Sequence, residues 1–197
     1  MEPFTVIKSK AVPLDRVNVD TDQIVPKQFL KLTIKTGYGK YLFYDWRFDA
    51  QGKPRQDFVL NDTQYAGREI LLTRDNFGSG SSREHAAWAL RDYGFRVIIA
   101  PSFADIFYSN CLKNGILALR LAPTEIDYLF ENSDLDIQVD LRAQTVSAGK
   151  LDTRFEIDDF RKNVLLEGLD SIGITLKLES QIEQFEARKT TLIPVSG

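Results

Sequence analysis

Cysteine and histidine are almost missing from this chain. Its 197 residues include one cysteine, Cys111, and one histidine, His85. A single thiol excludes an internal disulfide and fits a reducing compartment, so the expected location is the cytoplasm. It also excludes a self-contained iron–sulfur cluster, which needs several thiolates. So few soft ligands leave no private zinc site to expect, and the metal-ligand set is predicted to be empty. No apolar run approaches the roughly 20 residues of a membrane span. The stretch from Met1 to Lys10 lacks the apolar core of a secretory signal, so no membrane partner is expected. A basic surplus is absent as well: 25 lysines and arginines face 28 aspartates and glutamates, for a net charge of −3. That balance carries no footprint for nucleic acid.

What remains is an ordinary globular composition, 43% apolar and 27% charged. The length suits one domain, 1–197, with a C-terminal appendage from roughly 158. Phe4 to Val19 is predicted as a strand with a polar exit at Asn18-Val-Asp-Thr-Asp22, residues that bond their own backbone in loops. Pro26 interrupts regular structure. Thr33 to Asp45 mixes glycines and aromatics without a clean period and is predicted as a mobile loop with a short helix. Ala50 to Arg55 reads as a polar turn.

From Ile70 the pattern is α/β. Strands are predicted at Ile70–Thr73, Val97–Ala100 and Ile116–Leu121. Helices are predicted at Glu84–Tyr93, Phe103–Asn114 and Pro123–Asn132, with glycine stops at Gly94 and Gly115. This alternation predicts a mostly parallel, covered sheet. After Leu135 the chain turns β-rich, with Ile137–Leu141, Thr145–Ala148 and Arg154–Ile157, followed by helices at Asp158–Glu167 and Glu179–Lys189.

The segment Asn76-Phe-Gly-Ser-Gly-Ser-Ser-Arg-Glu-His85 carries the most information. Between a strand and a helix, its glycines let backbone amides turn toward an anion at the helix N-terminus. Arg83 adds a planar fork able to grip a carboxylate with two bonds, and Ser81 and Ser82 add hydroxyls. A small polycarboxylate fits such a site. A purely structural reading stands beside it, because Ser81-Ser-Arg-Glu84 matches a capping box. That reading leaves the two glycines and Arg83 unexplained. Neither a phosphate loop, a dinucleotide fingerprint nor a nucleophile elbow is matched.

Taken whole, this loop resembles that of the aconitase superfamily, most closely its bacterial isopropylmalate dehydratase small subunits. Further anchors are Asn18-Val-Asp-Thr-Asp-Gln-Ile-Val-Pro26, Leu42-Phe-Tyr-Asp-Trp-Arg-Phe48 within Gly37 to Phe48, Pro101-Ser-Phe-Ala-Asp-Ile-Phe107 and Gly168-Leu-Asp-Ser-Ile-Gly173. The resemblance covers nearly the whole chain. It implies an α/β fold, the swivelling β/β/α domain resembling the mobile C-terminal domain of aconitase, with C-terminal helical additions. It implies an enzyme of leucine biosynthesis, a hydro-lyase that converts 2-isopropylmalate to 3-isopropylmalate through isopropylmaleate. It implies that no cofactor is bound by this chain. A 4Fe–4S cluster is expected in a partner large subunit, whose open iron acts as a Lewis acid on the substrate.

By the same resemblance Ser81 is the base that takes a carbon-bound proton, and Ser82 and Arg83 bind a carboxylate of a small dicarboxylate. Asp22 matches an acidic active-site position that orients hydroxyls or pairs with an arginine. The aconitase segment with an extra substrate arginine has no clear counterpart after Pro26. There Phe29 and Leu30 either meet an isopropyl group or belong to the core. His85 is expected to be a structural, hydrogen-bonded residue, Cys111 buried and inert, and the Tyr38–Trp46 aromatics packing or interface residues. A sister hydro-lyase subunit acting on homoaconitate, citramalate or dimethylmalate is the nearest alternative, and a standalone carboxylate-binding module the alternative of another class.

Overall fold

Alternation along short apolar strands builds the core. The computed structural model describes residues 1–31, 36–80, 83–177 and 179–189. A parallel sheet runs in the order β2 (Ala11–Leu14), β3 (Ile70–Thr73), β4 (Val97–Ala100), β5 (Leu117–Arg120). Side chains on a strand point alternately to opposite faces. Ile70, Leu72, Val97, Ile99, Leu117 and Leu119 therefore enter one core, while Leu71, Ile98, Ala100 and Ala118 enter the other. With both faces covered, the strands read as continuous apolar runs rather than as an alternating pattern.

One face is covered by α3 (Glu84–Tyr93) and α4 (Asp105–Lys113), through Ala86, Ala87, Leu90, Phe107 and Cys111. The short helices α1 (Thr21–Ile24) and α2 (Tyr44–Arg47) add Ile24 and the neighbouring Leu42 and Phe43 to that core. The other face receives Ile126 and Leu129 of α5 (Pro123–Glu131) and a second, antiparallel sheet. Its order is β1 (Val6–Ser9), β6 (Ile137–Asp140), β7 (Thr145–Ala148), β8 (Leu151–Arg154). The result is the layered β/β/α arrangement. Helices α6 (Asp159–Glu167), α7 (Ser171–Leu176) and α8 (Glu179–Lys189) complete the C-terminal part. Among the described residues no helix is long and apolar enough to cross a membrane.

Several boundaries differ from the sequence reading. The single strand predicted over Phe4–Val19 is two strands in two sheets. Val6 pairs with Asp140 antiparallel, and Ala11 pairs with Ile70 in parallel. The jog between them is held by Ser9, whose hydroxyl donates to the Lys10 carbonyl at 2.9 Å and accepts from the Glu69 amide at 3.0 Å. The strand predicted at Arg154–Ile157 lies earlier, because Gly149 and Lys150 alone turn the chain and pair Ala148 with Leu151. Helix α7 has no counterpart in the sequence reading. Asp170 caps it by accepting from the Gly173 amide at 2.8 Å. Of the loop predicted at Thr33–Asp45, residues 32–35 lie outside the described residues, and the remainder holds a 3₁₀ turn at Gly39–Tyr41 and the start of α2.

Candidate active site

Three loops leave the carboxyl ends of β2, β3 and β4 side by side, the position where open α/β sheets place ligands. Polar contacts knit them together. The Asn18 amide donates to the Asp75 carbonyl at 2.9 Å, and the Asn76 side chain donates to the Asn18 side chain at 2.9 Å. Both asparagines sit in the left-handed region, with φ of 54° and 57°, a conformation asparagine tolerates better than most side chains. The Ser102 hydroxyl accepts from the Asn76 amide at 2.8 Å and donates to the Asp75 carboxylate at 3.2 Å. Further along, the Gly78 amide donates to the Val19 carbonyl at 2.7 Å and the Thr21 amide to the Ser79 carbonyl at 2.9 Å. The glycine-rich loop is thereby sewn to the entry of α1.

Gly78 cannot be another residue. Its φ is +79°, and a Cβ there would stand 2.1 Å from Cγ of Phe107. Gly80 also has a left-handed φ, +88°, but a Cβ there would make only ordinary contacts, with Asp20 at 3.4 Å and Thr21 at 3.6 Å.

Helix α1 carries a capping box. Asp20 accepts from the amides of Asp22 and Gln23 at 2.7 and 2.8 Å, and Gln23 accepts from the Asp20 amide at 3.0 Å. That fixes Asp22 in the first turn, where a carboxylate suits the positive end of the helix. Its carboxylate forms an ion pair with the Arg83 guanidinium through one oxygen and meets the Lys27 ammonium at 3.2 Å through the other. The Arg83 side chain is 17% exposed and that of Asp22 34%, whereas Lys27 is 73% exposed. The Arg83–Asp22 contact is thus the sheltered one, and the Lys27 contact is the kind that solvent and salt weaken. Two of the sequence-predicted residues, Asp22 and Arg83, are brought together. Ser81 and Ser82 lie outside the described residues.

The capping box read at Ser81–Glu84 is not what begins α3. The N-cap is Arg83, extended at φ −127° and ψ 114°, and its own side chain makes no capping bond. Glu84 is the first helical residue, too early to bond back to the cap, and its carboxylate accepts instead from the Asn114 side chain at 3.1 Å.

Phe29 ends a 3₁₀ turn, Lys27–Phe29, that follows Pro26. Its ring stacks on Tyr41 at 4.1 Å and meets the edge of Tyr44 at 4.8 Å. Phe29 and Leu30 are both half-buried against the core, so each keeps one face toward solvent. Of the Tyr38–Trp46 aromatics, Tyr38 and Phe43 are fully buried, and Tyr41, Tyr44 and Trp46 are half-buried.

His85 belongs to that aromatic packing, with its ring 4.6 Å from Trp88 and 5.3 Å from Tyr38. Burial pushes its pKa below the ordinary 6.5; neighbouring Glu84 opposes the shift and Arg83 adds to it. The unfolded chain therefore binds this proton more readily. The His85 contribution to stability is present above the unfolded value and is lost as pH falls through 6.5 toward the folded value. The imidazole of the sole histidine should give one proton NMR titration with a midpoint below 6.5. A midpoint at or above 6.5 would contradict this placement.

Cys111 lies fully buried on α4, and burial raises its thiol pKa well above the usual range. Among the described residues no three or more histidine, cysteine, aspartate or glutamate side chains gather where a metal would sit. The residues described here do not fit an iron–sulfur cluster.

Sequence reasoning missed Lys27, Ser102 and Asn114 at this site. Ser102 and Asn114 act on residues brought near by the fold, whereas Lys27 pairs with Asp22, a near neighbour in sequence that no motif links to it.

Comparison with known proteins gives the family and the fold. A family model described as the aconitase C-terminal domain matches residues 1–124. The chain is 55% identical over 195 residues to the 3-isopropylmalate dehydratase small subunit of Shouchella clausii, covering 98% of this chain and 99% of that one. It is 52% identical over 194 residues to the like-named subunit of Brevibacillus brevis, covering 96% and 100%. The crystal structure of a 3-isopropylmalate dehydratase from Methanocaldococcus jannaschii superposes with a TM-score of 0.66 at 24% identity, over 92% of this chain and 99% of that one. At that identity the match speaks for the fold alone.

Proposed function

The chain belongs to the family of 3-isopropylmalate dehydratase small subunits, within the aconitase C-terminal domain proteins, and from that premise we propose that it is the substrate-closing half of a two-subunit hydro-lyase in leucine biosynthesis. The reaction removes water from 2-isopropylmalate and returns it to the neighbouring carbon, giving 3-isopropylmalate. A large subunit supplies the iron–sulfur cluster, since this chain's own donor set does not fit one. The complex works in the cytoplasm.

The observation that carries the reading is the Arg83–Asp22 pair at the carboxyl end of the parallel sheet. The guanidinium faces the Asp22 carboxylate in a sheltered position. A substrate carboxylate entering there finds a planar donor fork of matching shape. Asp22 then holds Arg83 from one side and keeps the local charge balanced. Ser82 adds a second donor to the same carboxylate. Ser81 takes the proton from carbon as the C–H bond breaks, the double bond forms and the hydroxyl departs. A serine can do this only where its alkoxide is stabilised, and the positive end of α3 together with Arg83 supplies that field.

The exposed sides of Phe29 and Leu30 face the isopropyl group. Leu30→Arg is expected to raise the kcat/KM ratio of homoaconitate over isopropylmalate by about tenfold or more, because pocket contacts of this size discriminate by about 1–3 kcal/mol. Competition assays on the assembled enzyme would measure it, and an unchanged ratio removes this segment from substrate choice.

The proposal as a whole is tested by co-purification. A tagged chain should retain a large subunit carrying the cluster, and a chain that binds isopropylmalate tightly with no such partner would instead be a carboxylate-binding module.

A further inference from the structure

The glycine-rich loop is held at both of its ends by one helix. At the entry, Gly78 lies against the Phe107 ring, and Phe77 meets the same ring edge-on at 5.4 Å. Phe107 sits on α4 and is 2% exposed, anchored in the core beside Cys111. At the exit, the Glu84 carboxylate accepts from the side chain of Asn114, the residue that ends α4. Asn114 is itself fixed, because its amide group also donates to the Asn110 carbonyl at 2.8 Å. The N-cap residue of α3, Arg83, makes no capping bond with its own side chain. The Glu84–Asn114 bond is thus a tertiary contact that orients the first turn of α3.

We propose that Glu84 and Asn114 are positioning residues for the reaction: their hydrogen bond sets the direction in which Arg83, the residue before α3, is presented. The inference rests on the function proposed above. Neither residue touches the substrate. Glu84 follows Arg83 directly, so a rotation of the first turn of α3 swings the guanidinium away from the carboxylate it must meet. A displacement of about 1 Å in a positioning group can cost on the order of 100-fold in rate.

The pair also lines a cavity of about 710 Å³ between α4, α6 and α7, walled by Leu112, Phe160 and Ile172. Truncation here removes atoms that face open space on one side, so the fold should tolerate it.

The test is a double-mutant cycle on the assembled two-subunit enzyme. Glu84→Ala and Asn114→Ala should each lower kcat/KM for isopropylmalate by about 10- to 100-fold, with little change in melting temperature. The double variant should lose no more than the worse single variant, because both remove one bond. Glu84→Gln keeps an acceptor oxygen and should recover activity to within about threefold of wild type. A purely structural role would lower the melting temperature and leave kcat/KM within twofold, and that result overturns the proposal. So would losses that multiply in the double variant. If Glu84→Ala fails to assemble, Asn114→Ala and Glu84→Gln decide the matter by the same criteria. Wild-type complex that turns over isopropylmalate while the variants match it defeats this inference alone. Wild-type complex with no turnover defeats the proposed function along with it.

Discussion

Ser81→Ala is expected to cut turnover of the assembled enzyme by about 10²- to 10⁴-fold, the usual contribution of a general base. Substrate should still bind, since Arg83 and Ser82 remain. A serine that only capped α3 would give the opposite pattern: an N-cap loss of about 1 kcal/mol and a few degrees in melting temperature, with activity near normal. The structure already weakens that alternative, because the N-cap of α3 is Arg83 and Glu84 is bonded to Asn114. Arg83→Lys is the companion. It keeps the charge and loses the fork, so it should raise KM more than it harms folding. Wild-type turnover by an assembled Ser81→Ala enzyme would remove Ser81 from the chemistry.

Gly78→Ala should be the most damaging single substitution for stability in the loop. Two costs add. A non-glycine residue held near φ +79° loses about 1–2 kcal/mol. The new Cβ would then stand 2.1 Å from the Phe107 ring, which is buried and has no room to retreat, and overpacking of this kind costs about 1–3 kcal/mol. Together these predict a loss of about 2–5 kcal/mol in urea unfolding. Gly80→Ala is the control, with a similar φ of +88° and only an ordinary contact at 3.4 Å. It should show the backbone cost alone. Equal stability of the two variants would mean that Phe107 does not brace the loop.

The parallel core is readable from sequence because its strands are unbroken apolar blocks. Ile70–Thr73, Val97–Ala100 and Leu117–Arg120 are separated by helices predicted to stop at Gly94 and Gly115; α3 is capped at Gly94 and α4 at Asn114, next to Gly115. The split of the first predicted strand is not readable. Val6–Ser9 and Ala11–Leu14 look alike locally, and what parts them is the Ser9 bond to Glu69, far along the chain. The two-residue turn at Gly149 moved the last strand for a similar reason: strand residues either side of it have no strong period.

At the site, the anion-ready character of the loop follows from its glycines, its arginine and the helix behind it. The Ser81–Glu84 capping pattern is locally sound, yet α3 begins two residues later than that pattern requires. The partnership of Arg83 with Asp22 depends on the Val19–Gly78 and Thr21–Ser79 backbone bonds, which no local pattern announces. The roles of Ser81 and Ser82 come from the family likeness, and neither periodicity nor composition leads to them.

The central claim is that this chain closes a hydro-lyase site whose cluster belongs to a partner. The measurement that bears on it most directly is the anaerobic interconversion of 2-isopropylmalate and 3-isopropylmalate, assayed with the purified chain alone, with the cluster-bearing large subunit alone, and with the two combined. The account predicts isomerisation only in the combined sample. Turnover by the purified chain alone, supplied with iron and sulfide, would contradict it, as would a combined sample with no activity toward isopropylmalate.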